Sequence, residues 1–435
     1  MTGGTGTGRP TGVRWRILGW IVLASSVAYV LRFNMSVAGP AMMKDLGLSE
    51  VQFGIVLAAF AWSYGLFQMP GGMLGERMGP RRAMTLLFIV WGIVTVLTAF
   101  VPTGWPIVAS LSALVVIRAA QGLAQAPLYP VTSGGSMFAW FPPRTWAFAN
   151  SLSTAGSALG ATAAGPAVAW LVESVGWRQS FLLTSPLALA LALVWWWDYR
   201  DDPAERRGVN RAELELIDAD RSAVVHPTPI RWTRLLADRD LLFVTLSYFC
   251  LNYVFYLFFN WFYYYLTEVR GLPASSAGLF TGAQWMVGTL AALAGGLVCD
   301  RLSASFGARI GCRVTAIGGL LLSAPLLVAG TVAQEPLLCV TLLSLSFGSV
   351  QFTDGAYWAA TMRMAGPQAQ TATGVLNTGG NVVGGIGAML VPAIAGSLGW
   401  TVAVASGAIL SVVAALLWFG VRPDLTMQSR TAGAA

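Results

Sequence analysis

Apolar residues along this chain gather in runs of about twenty, parted by short polar stretches, and that is the length a helix needs to cross a hydrocarbon layer. Twelve runs are predicted as helical spans, near 17–39, 51–74, 83–101, 107–131, 146–172, 178–198, 241–266, 274–298, 314–331, 336–362, 371–394 and 400–420. They lack the in/out alternation that barrel strands require, which sets an outer-membrane barrel aside. Glycine and proline occur within the runs as well as between them. Lipid-embedded helices tolerate both where neighbouring helices or polar groups satisfy the freed backbone. The run Ile17 to Ala38 is too long for the core of a secretory signal, and no small-residue cleavage pattern ends a short core, so it is predicted as the first span. The expected fold class is an all-α polytopic membrane protein.

One long polar interval, 199–240, divides the spans into two sets of six. The expected organisation is a cytoplasmic tail over 1–16, a six-helix bundle over 17–198, a cytoplasmic central loop over 199–240, a second six-helix bundle over 241–420 and a cytoplasmic tail over 421–435. Within the loop, Ala212 to Ala219 has the pattern of a short amphipathic helix. The two bundles repeat in sequence. Gly72-Met73-Leu74-Gly75-Glu76-Arg77 matches Gly296-Leu297-Val298-Cys299-Asp300-Arg301 at a separation of 224, and Leu152-Ser153-Thr154-Ala155-Gly156-Ser157 matches Leu376-Asn377-Thr378-Gly379-Gly380-Asn381 at the same 224. Gly122 and Gln125 pair with Gly348 and Gln351 at 226. Distant matches in one register predict two pseudo-symmetric bundles related by parallel duplication, with a cavity between them near the bilayer midplane, the plan of rocking transporters.

Composition agrees with this reading. Of 435 residues 56% are apolar and only 10% charged, and the apolar supply suits about twelve spans. The net charge of +7 resolves by position. With both termini inside, 21 of the 26 basic residues fall in cytoplasmic segments, among them Arg77, Arg81, Arg82, Arg144 and eight arginines of the central loop. Lys44, Arg178 and Arg270 alone fall outside, and Arg32 and Arg118 lie within spans. Such a bias predicts a multi-pass protein of the cytoplasmic membrane with both termini cytoplasmic. It also removes the case for nucleic acid as a partner, leaving the lipid bilayer.

Enzyme chemistry is poorly supplied. The single histidine, His226, lies in a polar stretch, and Cys250, Cys299, Cys312 and Cys339 have no short metal-ligand spacing, so they read as apolar helix-filling thiols. No phosphate-gripping loop, catalytic constellation or second domain is present in the sequence. No cofactor, metal or catalytic residue is expected, and a monomer is.

The turn Gly72 to Arg82 resembles the signature loop between spans two and three of the major facilitator superfamily, with Glu76 where aspartate is usual. Its acid and arginines, with Asp300 and Arg301 in the repeat, are expected to gate the conformational change. A carboxylate and arginines on a short turn can hold helix ends in one state and release them in the other. Within that superfamily the chain is similar to the anion:cation symporter family. The resemblance is carried by Arg32-Phe33-Asn34-Met35-Ser36-Val37-Ala38, Ala59-Phe60-Ala61-Trp62-Ser63-Tyr64, Arg118 to Pro130, Trp140-Phe141-Pro142-Pro143-Arg144 and Leu376 to Asn381. That family includes bacterial carriers of sugar acids and the animal sialic acid and vesicular glutamate carriers.

Arg32 and Arg118 are the centre of the expected site. An arginine inside a span costs a few kcal/mol or more and normally faces the protein interior or water. A guanidinium holds a carboxylate through two parallel hydrogen bonds, and the resemblance assigns both residues to the anionic group of a substrate. Tyr29, three residues before Arg32, and Tyr64 match binding positions in sugar-acid members. Gln125 belongs with them, and Asn377 and Asn381, four apart, can hydrogen-bond substrate hydroxyls from one helix face. Gly156, Gly160, Gly380 and Gly384 are expected to permit close helix packing. The aromatic cluster from Tyr253 to Tyr265 reads chiefly as an interfacial belt, with Tyr256 and Asn260 in reach of the cavity.

The coupling residues depart from the family. Sugar-acid members carry an aspartate before the first arginine and a glutamate seven residues after the second, where this chain has Leu31 and Gln125. Neither can exchange a proton. Asp354 is the carboxylate clearly within a span, and it is the candidate for proton coupling, for engaging a cationic part of the substrate, or for a structural salt bridge. The expected function is secondary transport of a small organic anion, a carboxylate or sugar acid, by alternating access, with the proton as co-substrate. The alternatives are a proton-coupled exporter of drug-like or metabolite molecules and an uncoupled facilitator or exchanger.

Overall fold

Apolar runs of this length leave a lipid-embedded backbone no water to bond to, so each forms a helix that satisfies itself. The structure, a computed structural model, describes residues 9–142, 145–218, 238–365 and 369–424. Among these, twelve helices are long and apolar enough to cross a membrane. They are labelled α1 (Val13–Leu46), α2 (Glu50–Met78), α3 (Pro80–Ala99), α4 (Ile107–Gln125), α5 (Trp146–Val175), α6 (Trp177–Asp198), α7 (Arg239–Tyr264), α8 (Ala274–Phe306), α9 (Ala308–Val332), α10 (Pro336–Phe352), α11 (Ala369–Leu398) and α12 (Trp400–Trp418). Most outrun the predicted spans. α8 ends eight residues beyond the expected 298, because hydropathy marks only the stretch suited to hydrocarbon while the helix continues past it.

Two spans are broken. After α4 the chain continues as a short helix Leu128–Val131, a π-helical stretch Thr132–Met137 and a turn Phe138–Trp140. α10 is interrupted at Thr353 and resumes as a helix over Asp354–Ala365. The two breaks occupy corresponding places in the repeat, and each is seated on glycines of the helix before the signature turn. Pro127 and Val131 lie against Gly71 and Gly75 of α2, and the carbonyl of Phe352 lies against Gly295 of α8.

Tight turns obey the same symmetry. The α2–α3, α5–α6, α8–α9 and α11–α12 junctions each turn on one glycine, Gly79, Gly176, Gly307 and Gly399, with φ of 78°, 89°, 86° and 85°. L side chains rarely enter that region. Packing repeats as well: α1 lies on α5, α2 on α4 and α3 on α6, matched by α7 on α11, α8 on α10 and α9 on α12. The expected small-residue packing is present. A Cβ on Gly156 or Gly160 would strike the carbonyl of Val22 or Ser26 on α1, and one on Gly380 or Gly384 would strike Tyr248 and Asn252 or Tyr256 on α7. The halves meet through α2 with α11, α5 with α8 and α1 with α7.

The end carrying the α2–α3 and α8–α9 turns is here called the basic end, and the opposite one the far end. At the basic end the amphipathic segment forms a helix over Arg211–Asp218, and its Glu213 is fully buried rather than solvated. Glu213 accepts from the backbone N–H of Gly12 at 2.7 Å and pairs with Arg14 at 3.0 Å, fastening the start of α1 to the loop. Asp198 adds a node by pairing with Arg16 at 2.9 Å and with Arg206. His226, Arg144, Arg221 and Arg430 lie outside the described residues. Cys299 and Cys312 are buried with their sulfurs 3.7 Å apart across the α8–α9 turn.

Candidate functional site

Two arginines in apolar helices must find partners, and these find aromatic rings and amides. Arg32 on α1 and Arg118 on α4 are 5% and 2% exposed. The Arg32 guanidinium lies 4.2 Å from the ring centroid of Tyr64 and 5.0 Å from those of Tyr29 and Phe60, and its Nε donates to Oε1 of Gln125 at 2.8 Å. Arg118 lies 4.6 Å from the centroid of that same Phe60 and donates from a terminal nitrogen to Oε1 of Gln121 at 2.5 Å. Gln121 in turn donates to the carbonyl of Leu31 at 3.5 Å. The ring face, negative in its quadrupole, gives a cation some compensation but no countercharge. Among the described residues neither arginine pairs with a carboxylate. Nε of Arg118 and Nε2 of Gln125 are buried donors without a protein acceptor among the described residues.

This arrangement brings Arg32, Tyr29, Tyr64, Gln125 and Arg118 into one cluster in the first half. Phe60 and Gln121 complete it, and the sequence reading passed over both. Phe60 is one of 21 phenylalanines, and nothing in the local pattern shows that two cations share its ring. Tyr64 stacks on Phe60, with centroids 5.7 Å apart and planes 15° from parallel.

The second half faces this cluster with rings. Trp285 of α8 meets Tyr29 at 6.0 Å and Phe33 at 5.5 Å edge-on, and Phe259 of α7 meets Phe33 at 4.7 Å. The α7 aromatic cluster is therefore packing rather than belt: Tyr253, Tyr256, Phe258, Phe259, Trp261, Phe262, Tyr263 and Tyr265 are all buried. Belt and core draw on the same residue types, and the neighbouring helices cover this set.

The structure places the two asparagines in protein contacts. Asn377 donates to Oε1 of Gln68 across the halves at 2.9 Å, and Asn381 accepts from the Tyr256 hydroxyl at 2.6 Å while donating to the carbonyl of Asn377 at 2.8 Å. Asp354 opens the helix that follows the α10 break. Both its oxygens accept from Nε1 of Trp358, each at 3.1 Å, and among the described residues it forms no ion pair.

The halves touch unevenly along their length. At the far end the Tyr264 hydroxyl donates to Glu50, Phe53 meets Trp261 at 6.4 Å, and Gly54 and Gly165 bring the helix backbones together at Ala388 and Gly278. At mid-depth Trp62 donates to the carbonyl of Val382 at 3.0 Å. No such contact joins the halves at the basic end among the described residues. There Glu76, Arg77, Asp300 and Arg301 are exposed, with no ion pair among them. Among the described residues the polar and close-packed contacts between the halves thus lie at the far end and at mid-depth, where Gln68 and Asn377 also meet.

Comparisons with known proteins identify the family and the fold. Residues 21–388 match the sequence model of the Major Facilitator Superfamily. The chain is 31% identical over 390 residues to the probable sulfoacetate transporter SauU of Cupriavidus necator, covering 88% of this chain and 87% of that protein. It is 29% identical over 406 residues to the probable galactarate/D-glucarate transporter GudP of Escherichia coli K12, covering 89% and 88%. In fold it is similar to the crystal structure of a bacterial homolog of the human lysosomal transporter Spinster, inward-facing and unoccupied, with a TM-score of 0.77 at 17% identity over 96% of this chain and 97% of that one.

Proposed function

The chain belongs to the major facilitator superfamily and is a membrane transporter rather than an enzyme, and from that premise we propose that it carries a small organic anion by alternating access, coupled to protons. The observation that carries the reading is the pair Arg32 and Arg118, buried in the wall between the halves and lacking a carboxylate partner among the described residues. A buried guanidinium without a countercharge is costly, and an incoming carboxylate or sulfonate supplies what is missing through charge-assisted hydrogen bonds. The compounds in the names of both relatives are small organic acids, which supports this chemistry. A cationic drug would meet two like charges.

In this reading the basic end faces the cytoplasm, as the distribution of basic residues predicts. The described conformation is then the one that exchanges anion with the cytoplasm. Rocking about α2, α5, α8 and α11 would open the far end and draw together the basic end, where Glu76, Arg77, Asp300 and Arg301 stand ready to pair. Asp354 carries the proton: it sits at a helix break, is held by a neutral indole rather than by a cation, and lies close enough to Tyr29 of the other half for its charge to be felt there.

The test is uptake of radiolabelled organic acids into proteoliposomes. Arg32→Ala and Arg118→Ala should each abolish uptake while the purified proteins keep a cooperative thermal transition. Full uptake by either variant would end the binding role of that arginine.

A further inference from the structure

We propose that the site takes a small dianion, one acid group for each guanidinium, and that Gln125 sets this charge preference. The proposal rests on the organic-anion reading above and adds the number of charges.

The argument is one of countercharge. Arg32 and Arg118 both lie over the Phe60 ring, at 5.0 and 4.6 Å from its centroid, so two positive charges share one buried locus. The partners of Arg32 are three rings and an amide oxygen and those of Arg118 one ring and an amide oxygen, and neither a neutral ring nor an amide oxygen supplies a countercharge. Asp354, the intramembrane carboxylate of the facing half, shares the single Trp358 N–H between its oxygens and pairs with neither arginine among the described residues. A monoanion would leave one buried cation uncompensated, whereas a dianion meets both, and uncompensated buried charge is the more expensive state. Two donors without acceptors, Nε of Arg118 and Nε2 of Gln125, mark where acid oxygens would be received.

Gln125 then acts as the selector. Its Oε1 sits 2.8 Å from Nε of Arg32, the place and distance a carboxylate oxygen would occupy if the residue were glutamate. Exchanging the amide for a carboxylate changes almost no volume, yet it gives Arg32 an internal countercharge. The locus would then call for one negative charge from the cargo.

The experiment compares matched pairs that share a shape and differ by one charge: malonate, succinate and glutarate against their monomethyl esters. Binding to the purified full chain is read by thermal shift and by competition with uptake in proteoliposomes. In the unaltered protein the best diacid should bind at least about tenfold more tightly than its monoester, equivalent to about 1.4 kcal/mol. In Gln125→Glu the ratio should collapse or invert, while the uncharged Gln125→Met keeps the diacid preference. Arg118→Gln makes the same one-unit change by removing a cation and, read by thermal shift alone, should shift the ratio likewise should Gln125→Glu fail to fold. Monoesters binding as tightly as diacids in the unaltered protein would overturn the dianion assignment and leave the organic-anion reading standing. A diacid preference undiminished in Gln125→Glu would overturn the role of Gln125. Failure of every acid of either charge to bind would count against the organic-anion reading itself.

Discussion

A methyl group at Gly54 tests alternating access directly. Gly54 lies on α2 near the far end, and a Cβ there would overlap the carbonyl oxygen of Ala388 on α11 and come within 3.2 Å of that carbonyl carbon and of Cα of Met389. All three are backbone atoms, so no side chain can swing aside, and the helices must part by roughly an ångström to regain ordinary spacing. Overpacking of this kind costs about 1–3 kcal/mol. If α2 and α11 separate there when the far end opens, the cost falls on the far-closed state alone. It then shifts the balance between the two states by about fivefold to 150-fold. Spin labels at Val51 and Leu398, both exposed near that end, should report a longer distance in Gly54→Ala, and net uptake should fall in step. Gly396→Ala on α11, the partner helix, meets nothing within 4 Å and serves as the control. An unchanged distance distribution together with full uptake would refute the reasoning.

Two further changes probe other links. Asp354→Asn keeps the size of the side chain and its contact with Trp358 but cannot exchange a proton, so uptake should lose its dependence on an imposed pH gradient while exchange of internal for external anion persists; unaltered pH dependence would remove Asp354 from coupling. Glu213→Ala strips the partner from Arg14 and from the N–H of Gly12, and should destabilise the first half by about 2 kcal/mol, read as a lower melting temperature and as faster proteolysis within residues 9–16; an unchanged melt and cleavage pattern would show the loop contact to be incidental.

Spans, repeat and buried arginines could all be read along the chain, because each is a contrast against local background: apolar against polar, one register against another, a charge within a greasy run. What escaped reading depends on partners far away in sequence. The break at Thr353 lies inside a stretch read as one continuous span, 336–362, and it is packing of Phe352 against Gly295 that sits beneath it. Asn377 looked free to bond a hydroxyl, but Gln68, 309 residues earlier, takes its amide. Phe60 was one ring among many until Arg32 and Arg118 were seen to share it. The α7 aromatics were assigned to the interface because an apolar residue type does not say whether lipid headgroups or another helix will cover it.

The far-end seal also has an electrical meaning. In the proposed transport cycle, a water-filled cavity opening at the basic end would carry the potential of that side down to the arginines, and the membrane voltage would drop across the layer of glycine-contacted helices around Gly54 and Gly165. Loading an anion from the basic side then crosses almost none of the field. The switch does, because it passes the guanidinium pair to the other side of the drop, at about 2.3 kcal/mol per unit charge for each 100 mV. With a doubly charged cargo aboard, the pair moves as a neutral unit and voltage leaves the loaded step alone. The empty carrier would return with the arginine pair relieved only by the charge of a deprotonated Asp354, and voltage would act on that step.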